Sequence, residues 1–352
     1  MNLESLGYTE SLENYRKENN LTSFEVGRVA VEHKERYIVK TAAQEIEAEI
    51  TGNLRFSAQE RADFPAVGDW VALSVYDDSL ALIHHVFPRK SILQRQAVGK
   101  FGQVQIIATN IDFAFIIQGV DYDFNINRLE RYLAICKSAK VAPILLLSKI
   151  DLIDANDLQT KIEDIQSRHS NVPIIPFSNI SKSGYELVTE NLQKAKTYCI
   201  IGSSGVGKST LINNLAKKDL MKTSAISSST NKGRHTTSHR ELILLQSGAI
   251  FIDTPGMREI GITENVDEAF DVISSLSQSC KFSDCTHIHE EGCAILEAIE
   301  NNEIDQDAYE NFLKMQREAQ RFQTSVADKR RKDKAFGKMY KQVIKQRKNN
   351  KY

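Results

Sequence analysis

The spacing of apolar residues changes character along the chain. Between residues 22 and 95, five short stretches (SFEVGRVA, ERYIVKT, IEAEITGNLRF, WVALSVY and LALIHHVF) show strand-like alternation or β-branched content, with turn signals between them. Short strands of this kind predict a small barrel. An OB-fold, a barrel that commonly binds single-stranded or structured RNA, is the expected form. An SH3-like barrel or a purely structural domain fits the same pattern. The aromatics Phe24, Tyr37, Phe56 and Trp70 are expected to fill the barrel core, although exposed ones could stack on bases. His84 and His85 lie in an apolar strand, where alternation places one inward and one outward, and no metal role is expected of them. Residues 1–21 read as a frayed or helical leader without chemistry.

From Val104 the pattern switches. Apolar runs of strand length (VQIIATN, DFAFIIQG, APILLLS, VPIIPFS, TYCIIG, ELILLQ and AIFIDTPG) are separated by helical stretches. In NRLERYLAICKSAK, Leu129, Tyr132, Leu133 and Cys136 share one helical face. Further helices are expected around Asp157 to Arg168 and Tyr185 to Lys194. Near-continuous Ile/Leu/Val runs mark strands buried on both faces, so this region predicts a largely parallel α/β domain. Ligands of such sheets bind at the carboxyl ends of the strands.

One of those ends carries GSSGVGKST, residues 202–210, which fills GxxxxGK[S/T] between a predicted strand and a predicted helix. Gly202, Ser203, Ser204, Gly205, Val206, Gly207, Lys208, Ser209 and Thr210 are the expected phosphate-binding residues. Glycines let successive backbone N–H groups face one concavity, and the helix N-terminus beyond favours an anion. Lys208 would reach the β- and γ-phosphates, and the Ser209 hydroxyl would ligate Mg²⁺. The plain alternative is a glycine turn between a core strand and a core helix. Three more strand ends complete a nucleotide site. Asp253, in DTPG, can hold Mg²⁺ through water, and the Gly256 N–H can meet the γ-phosphate. Ser148, Lys149, Ile150 and Asp151 follow ILLL; the Asp151 carboxylate can accept both N–H donors of a guanine edge while the Lys149 stem lies along the base. Ser178, in FSN, would supply backbone contacts to the base oxygen. Together these fragments predict a GTP and GDP site.

Composition narrows the setting. Apolar residues make up 41% of the chain, no run approaches 18 apolar residues, and the N-terminus is acidic and polar, so a cytoplasmic protein without a membrane span is expected. The net charge of −1 hides an asymmetry, because residues 314–352 carry 14 Lys/Arg against 3 Asp/Glu. Such a tail is either a solvated segment or a nucleic-acid contact that gains affinity by releasing counterions. Of the five cysteines, Cys136 and Cys199 sit in apolar surroundings and read as inert core thiols. Cys280, Cys285, His287 and Cys293 form CxxxxCxHxxxxxC, four good ligands for one structural Zn²⁺, with His289 able to substitute for His287. Chance clustering and redox chemistry are the alternatives.

The order of the nucleotide fragments is unusual. Ras-like GTPases run phosphate loop, switch threonine, DxxG, NKxD, SA, whereas here SKID and FSN precede the phosphate loop and DTPG follows it. This is a circular permutation, which is acceptable because the site is assembled in space from strand ends. Over residues 22–320 the chain resembles the circularly permuted, ribosome-small-subunit-dependent GTPases known as RsgA or YjeQ. It shares their permuted order, PAVGDWV in the barrel, NRLERYLA, the GRHTT segment from Gly233 to Thr237, and a cysteine-histidine cluster after the GTPase domain. The resemblance implies an N-terminal OB-fold, a permuted GTPase and a zinc-binding C-terminal domain. It also implies a role in late maturation of the 30S subunit, with contact to its 16S rRNA. It favours His287 over His289 as the metal ligand, and points to His235 for positioning the attacking water and to Thr236 or Thr237 for the Mg²⁺ and γ-phosphate contact. The chain departs from the family at Ser148, where Asn is usual, and in its long basic tail.

Many GTPases place a water-orienting Gln after DxxG; here that residue is Met257, which cannot polarise water, so slow intrinsic turnover is expected. The expected organisation is a leader at 1–21, an OB-like barrel at 22–95, a circularly permuted P-loop α/β GTPase domain at 100–265, a mostly helical zinc-binding domain at 266–320 and a basic tail at 321–352. The expected catalytic residues are His235, Lys208, Thr236 and Thr237, and the expected state is a monomer. Competing readings are an RNA-binding scaffold with incidental turnover, and a metabolic GTPase unrelated to RNA.

Overall fold

The first strands close into a barrel, with strict alternation over Glu45–Ile50 and unbroken burial over residues 26–30 and 70–73. In the computed structural model of the chain, residues 2–33, 36–77, 79–96, 104–217, 240–253, 270–321 and 331 are described. A leader helix α1 (Glu10–Glu18) precedes β1 (Glu25–His33), β2 (Arg36–Thr41), β3 (Glu45–Ile50), a short helix α2 (Gly52–Ser57), β4 (Trp70–Val75) and β5 (Leu80–Val86). In β3, Ile46, Ala48 and Ile50 point inward and Glu45, Glu47 and Glu49 outward. The pairing runs β1-β2-β3-β5-β4 and back to β1, a closed ring without a free edge. This closure, with α2 between the third and fourth strands, is the OB-fold topology. Val29, Tyr37, Val39, Ile46, Val71, Leu73 and Ile83 fill the interior.

Two expectations for this region need correction. Phe56 does not fill the core; it is 92% exposed. Helix α2 packs Leu54 on the barrel, and two residues further along a helix of about 3.6 residues per turn a side chain faces away. His84 and His85 do not alternate cleanly. The β4–β5 register slips at this point, so both are half-buried: His84 bonds Ser74 Oγ at 2.8 Å and His85 bonds the Tyr15 hydroxyl at 2.8 Å. The leader is helical over Glu10–Glu18 and packed down, with Leu3, Leu6, Tyr8, Leu12 and Tyr15 around Trp70 and Phe87.

The chain then forms β6 (Ile92–Gln96), β7 (Val104–Thr109), β8 (Phe113–Gly119), α3 (Ile126–Ser138), β9 (Ala142–Ser148), α4 (Ala155–Arg168), β10 (Ile174–Phe177), α5 (Tyr185–Glu190), β11 (Thr197–Gly202), α6 (Lys208–Ala216), β12 (Glu241–Leu244) and β13 (Ile250–Asp253). Strands β10, β9, β8, β11 and β13 are parallel neighbours in that order, and β12 follows β13 antiparallel. Strand β7 stays outside this sheet and pairs with β6. Asn110, at φ 55°, turns the chain before β8, and its side chain bonds the Lys90 N–H and the Gly68 carbonyl. Phe115, Ile117, Leu146, Phe177, Tyr198, Leu211 and Phe251 pack one core between sheet and helices. Cys136 and Cys199 are fully buried, and burial pushes the Cys199 thiol up to about 12, as expected of inert core thiols.

Barrel and sheet share one compact unit, residues 1–94 and 106–260. Strand β12 pairs with β1 at Val31 opposite Glu241. The PAVGDW turn supplies the polar fastening. Asp69 is fully buried, takes a two-pronged bond from Arg89 (2.8 and 2.6 Å), and accepts from Thr109 Oγ1 at 2.6 Å and the Ala66 N–H at 2.8 Å. Gly68 has φ +97°, and a Cβ there would stand 2.2 Å from the Thr109 carbonyl oxygen, so the approach demands glycine. Arg28 is also fully buried, giving its protons to the carbonyls of Leu6, Gly68 and Asn110; burial lowers it to about 10.

A second unit comprises residues 95–105 and 261–352. It contains α7 (Asp271–Ser277), α8 (Ala294–Glu300) and a helical stretch over 306–321. Phe270 meets Phe312 edge to face at 5.4 Å, and Ile273, Ile295 and Met315 of the same unit are buried.

Candidate nucleotide site and metal cluster

The carboxyl ends of the parallel strands bring together fragments far apart in sequence. In register, Phe177 of β10 lies opposite Ser148 of β9, Ser148 opposite Gly119 of β8, and Ile117 of β8 opposite Gly202 of β11. At the end of β11, Gly202, Gly205 and Gly207 have φ of 154°, 81° and 97°, the curvature that turns backbone N–H groups into one concavity. Gly202 must be glycine, since a Cβ would stand 2.4 Å from the Ile117 carbonyl oxygen. Val206 is buried in the core, so only its backbone is available to a ligand. Helix α6 opens at Lys208, with Ser209 and Thr210 half-buried in its first turn. The Lys208 ammonium lies back over the loop, donating to the carbonyls of Gly202 (2.9 Å) and Ser203 (2.5 Å). Such carbonyl contacts can be exchanged for phosphate oxygens.

The expected base-reading residues share the same edge. Lys149 turns the chain at φ +65°, and Ile150–Leu152 follow as a single tight turn that presents an exposed Asp151. Ser178 is fully buried; its hydroxyl donates to the Asp151 carboxylate and accepts from the N–H groups of Ile180 and Ser181, both at 3.1 Å. Ser148 is fully buried too, its hydroxyl 3.5 Å from the Gln118 carbonyl oxygen. Asp253 ends β13, half-buried, opposite Glu241. His235, Thr236, Thr237 and Gly256 lie outside the described residues.

Two side chains of this edge were not legible as site residues, and a third, Asn179 of FSN, was read only for its backbone. Asn179 donates to the Gly207 carbonyl at 3.1 Å and accepts from the Tyr185 hydroxyl at 2.5 Å, which in turn accepts from Asn214 at 2.7 Å. On the loop after β8, Asp121 pairs with Lys149 at 2.8 Å, and Asp123 accepts from the Ser203 hydroxyl. The only signal in the sequence was a polar loop, GVDYDFN, at a strand end.

The second unit holds the metal-ligating cluster. Ligand atoms of Cys280, Cys285, His287 and Cys293 all lie within 4.8 Å of one another. His287 Nδ1 is 3.5 Å from Cys280 Sγ and 3.6 Å from Cys293 Sγ, and those two sulfurs are 3.9 Å apart. Tetrahedral zinc bonded at about 2.3 Å to sulfur and about 2.0 Å to nitrogen sets its ligands about 3.5–3.8 Å apart. The cluster therefore fits such an ion, through Nδ1 of His287. His287 itself is in the left-handed region at φ +63°, its carbonyl held by the Tyr309 hydroxyl at 2.5 Å. Glu290 closes the loop by accepting from the Thr286 hydroxyl and from the N–H groups of Thr286, Ile288 and His289 at 3.0–3.1 Å; the Thr286 hydroxyl above all, with the N–H groups of Thr286 and His289, holds its carboxyl well below the usual range. No helix among the described residues is long and apolar enough to cross a membrane.

A glycine-lined phosphate loop beside an acidic base-reading turn, with the base-reading strand earlier in the chain than the loop, defines a circularly permuted P-loop GTPase fold carrying an N-terminal OB barrel. The profile of the RsgA GTPase family matches residues 86–263. A small ribosomal subunit biogenesis GTPase, RsgA 1 of Bacteroides thetaiotaomicron, is 37% identical over 352 residues, covering 99% of this chain and 98% of the relative. RsgA 2 of Lactiplantibacillus plantarum is 42% identical over 320 residues, covering 90% and 89%. The crystal structure of YjeQ from Thermotoga maritima superposes with a TM-score of 0.65 at 26% identity, over 84% of this chain and 98% of that one. The chain belongs to the RsgA GTPase family.

Proposed function

We propose that this chain binds GTP at the carboxyl edge of its parallel sheet, hydrolyses it to GDP and phosphate, and uses the change of state to control its association with the small ribosomal subunit. The observation that carries the reading is the convergence of two loops on one sheet edge: the phosphate loop of residues 202–210 and the base-reading turn of residues 148–151, backed by Ser178. The relatives' names, which place them in small-subunit biogenesis, supply the client. Lys208 exchanges its carbonyl partners for the phosphates, the N–H groups of 203–208 take the remaining oxygens, and Asp151 reads the guanine N–H edge. Ser209 and Asp253 would hold the Mg²⁺ that neutralises charge on the phosphates.

With Met257 in the place of the usual Gln, His235 is assigned to position the attacking water and Thr236 or Thr237 to meet the γ-phosphate. Zinc is the proposed occupant of the Cys280, Cys285, His287 and Cys293 cluster; four protein ligands leave no open position, so its part is structural. The boundaries 22–95, 100–265, 266–320 and 321–352 are proposed as barrel, GTPase, zinc domain and basic tail. The barrel and the tail are the proposed 16S rRNA contacts, the action is in the cytoplasm, late in 30S maturation, and the protein acts as a monomer. The test is GTP hydrolysis by the full chain with and without isolated 30S subunits, together with co-sedimentation in GTP analogue or GDP. Faster turnover with subunits and state-dependent binding are expected. Turnover indifferent to subunits would move the reading to a GTPase with no ribosomal client, and subunit binding without turnover to a scaffold.

A further inference from the structure

The loop joining β8 to α3 reaches both halves of the nucleotide site with two carboxylates two residues apart. Asp121 takes Lys149 of the base-reading turn at 2.8 Å, and the pair is largely shielded, with 10% of the Asp121 and 22% of the Lys149 side chain exposed. Asp123 takes the hydroxyl of Ser203, the second residue of the phosphate loop, from 80 residues away in sequence. The loop itself is tied down from behind: Gln118 Nε2 donates to the Asp123 carbonyl at 2.7 Å, and Arg128, on the first turn of α3, meets the Asp123 carboxylate at 3.0 Å. Arg128 also donates to that same carbonyl, and Asn125 caps α3 through the Arg128 N–H at 2.8 Å. Asp123 is therefore charge-compensated, and the same Oδ2 that meets Arg128 accepts from Ser203. Ser148, at the end of the neighbouring strand, is directed to the Gln118 carbonyl instead.

We propose that Asp121 and Asp123 form a clasp that holds the base-reading turn and the phosphate loop at a fixed separation. Asp123 positions the phosphate loop through Ser203, and Asp121 positions the base-reading turn through Lys149. The proposal rests on the nucleotide reading above and adds the residues that set the site's dimensions. Neither carboxylate has to touch the nucleotide: each acts through a side chain of the loop that does. A loop fixed before binding loses less freedom when a ligand arrives, so a brace of this kind shows up as affinity. The two arms should differ in what they govern. Loosening the phosphate loop weakens every nucleotide alike, whereas loosening Lys149 degrades the choice of base.

The test is titration of the full chain with fluorescent N-methylanthraniloyl GDP and GTP, and competition by IDP. Asp123→Ala and Ser203→Ala should each weaken both nucleotides about tenfold, and the double variant should be no weaker than either, because the two substitutions break one bond. Asp123→Asn keeps an acceptor oxygen for Ser203 and should stay within about threefold of the parent; it also serves where Asp123→Ala does not fold. Asp121→Ala should reduce the preference for GDP over IDP by about tenfold. Parent-like affinity in both single variants, or losses that multiply in the double variant, would overturn the phosphate arm. An unchanged GDP/IDP preference in Asp121→Ala would overturn the base arm. A parent protein that binds no guanine nucleotide would instead sink the nucleotide reading itself.

Discussion

Fourteen consecutive residues, Cys280 to Cys293, supply every ligand atom of the metal cluster. The nucleotide site gathers its side chains from Asp121 to Asp253 and relies on five parallel strands to deliver them to one edge. In the first case geometry is local: a short loop is pinned by Glu290 and Tyr309, and a bound ion would supply the rest. In the second, on the proposed reading, the residues that would touch ligand and those that hold them in place are separate, and the holding residues come from other strands. A local site should fail all at once when one ligand is lost, while an assembled site should fail by degrees.

The largest effect is expected at the cluster. Cys285→Ala, or prolonged treatment with a strong chelator, should release the metal and melt the 280–293 loop, since structural zinc is worth about 10 kcal/mol or more of apparent binding free energy in small domains. Metal analysis and proteolysis of this segment would record the loss, while GDP affinity should stay within about twofold. Loss of nucleotide binding in parallel would break the contrast between the two sites.

Asp151→Asn comes next. It removes an acceptor for the guanine N–H groups and presents a donor, so GTP affinity should fall about a hundredfold or more while xanthosine nucleotides improve. An unaltered preference for GTP over XTP would show that the SKID turn does not read the base. Asp69→Ala should follow, costing about 3 kcal/mol or more in urea unfolding, because it leaves Arg89 nearly buried without its partner. If barrel and sheet then unfolded in separate transitions, Asp69 would be the fastening that makes them cooperate.

What the sequence disclosed follows the same division. The phosphate loop and the cysteine-histidine spacing were legible because each is a short pattern whose chemistry is local. Each of the five barrel stretches overlaps one of β1 to β5, since alternation or β-branched content marks a strand locally. The order in which those strands close was not legible, because pairing across β3 and β5 depends on contacts no local pattern encodes. Asp121, Asp123 and the side chain of Asn179 went unread for a related reason. Their partners are 28, 80 and 28 residues away, and in sequence each looks like an ordinary loop residue. Phe56 was misplaced because residues 46–56 read as one strand, whereas the strand ends at Ile50 and a helix begins at Gly52.

The smallest effect is expected where the leader docks on the barrel. Burial lowers the His85 pKa, and its ring bonds the Tyr15 hydroxyl. A base whose pKa is lower folded than unfolded is favoured neutral in the fold. Its contribution is thus present above the ordinary histidine value of about 6.5 and is lost as pH falls from there toward the folded value. The urea midpoint should drop modestly between pH 7.5 and 5.5, and His85→Gln should flatten that slope. An equal slope in the variant would place the titration elsewhere.

The placement of β11 between β8 and β13 has a consequence for synthesis. As the chain emerges, β8, β9 and β10 can pair at once, but the flank of β8 that β11 will occupy has no partner until about eighty residues after Gly119 have been added. At about 5–20 residues per second, that flank waits roughly 4–16 seconds. An unpaired strand edge invites addition of a foreign strand. The nascent chain therefore carries an exposed strand flank in the interval just before its phosphate loop is made, and the arrival of β11 covers that flank and brings the loop, while β13, with Asp253 at its end, is still to come.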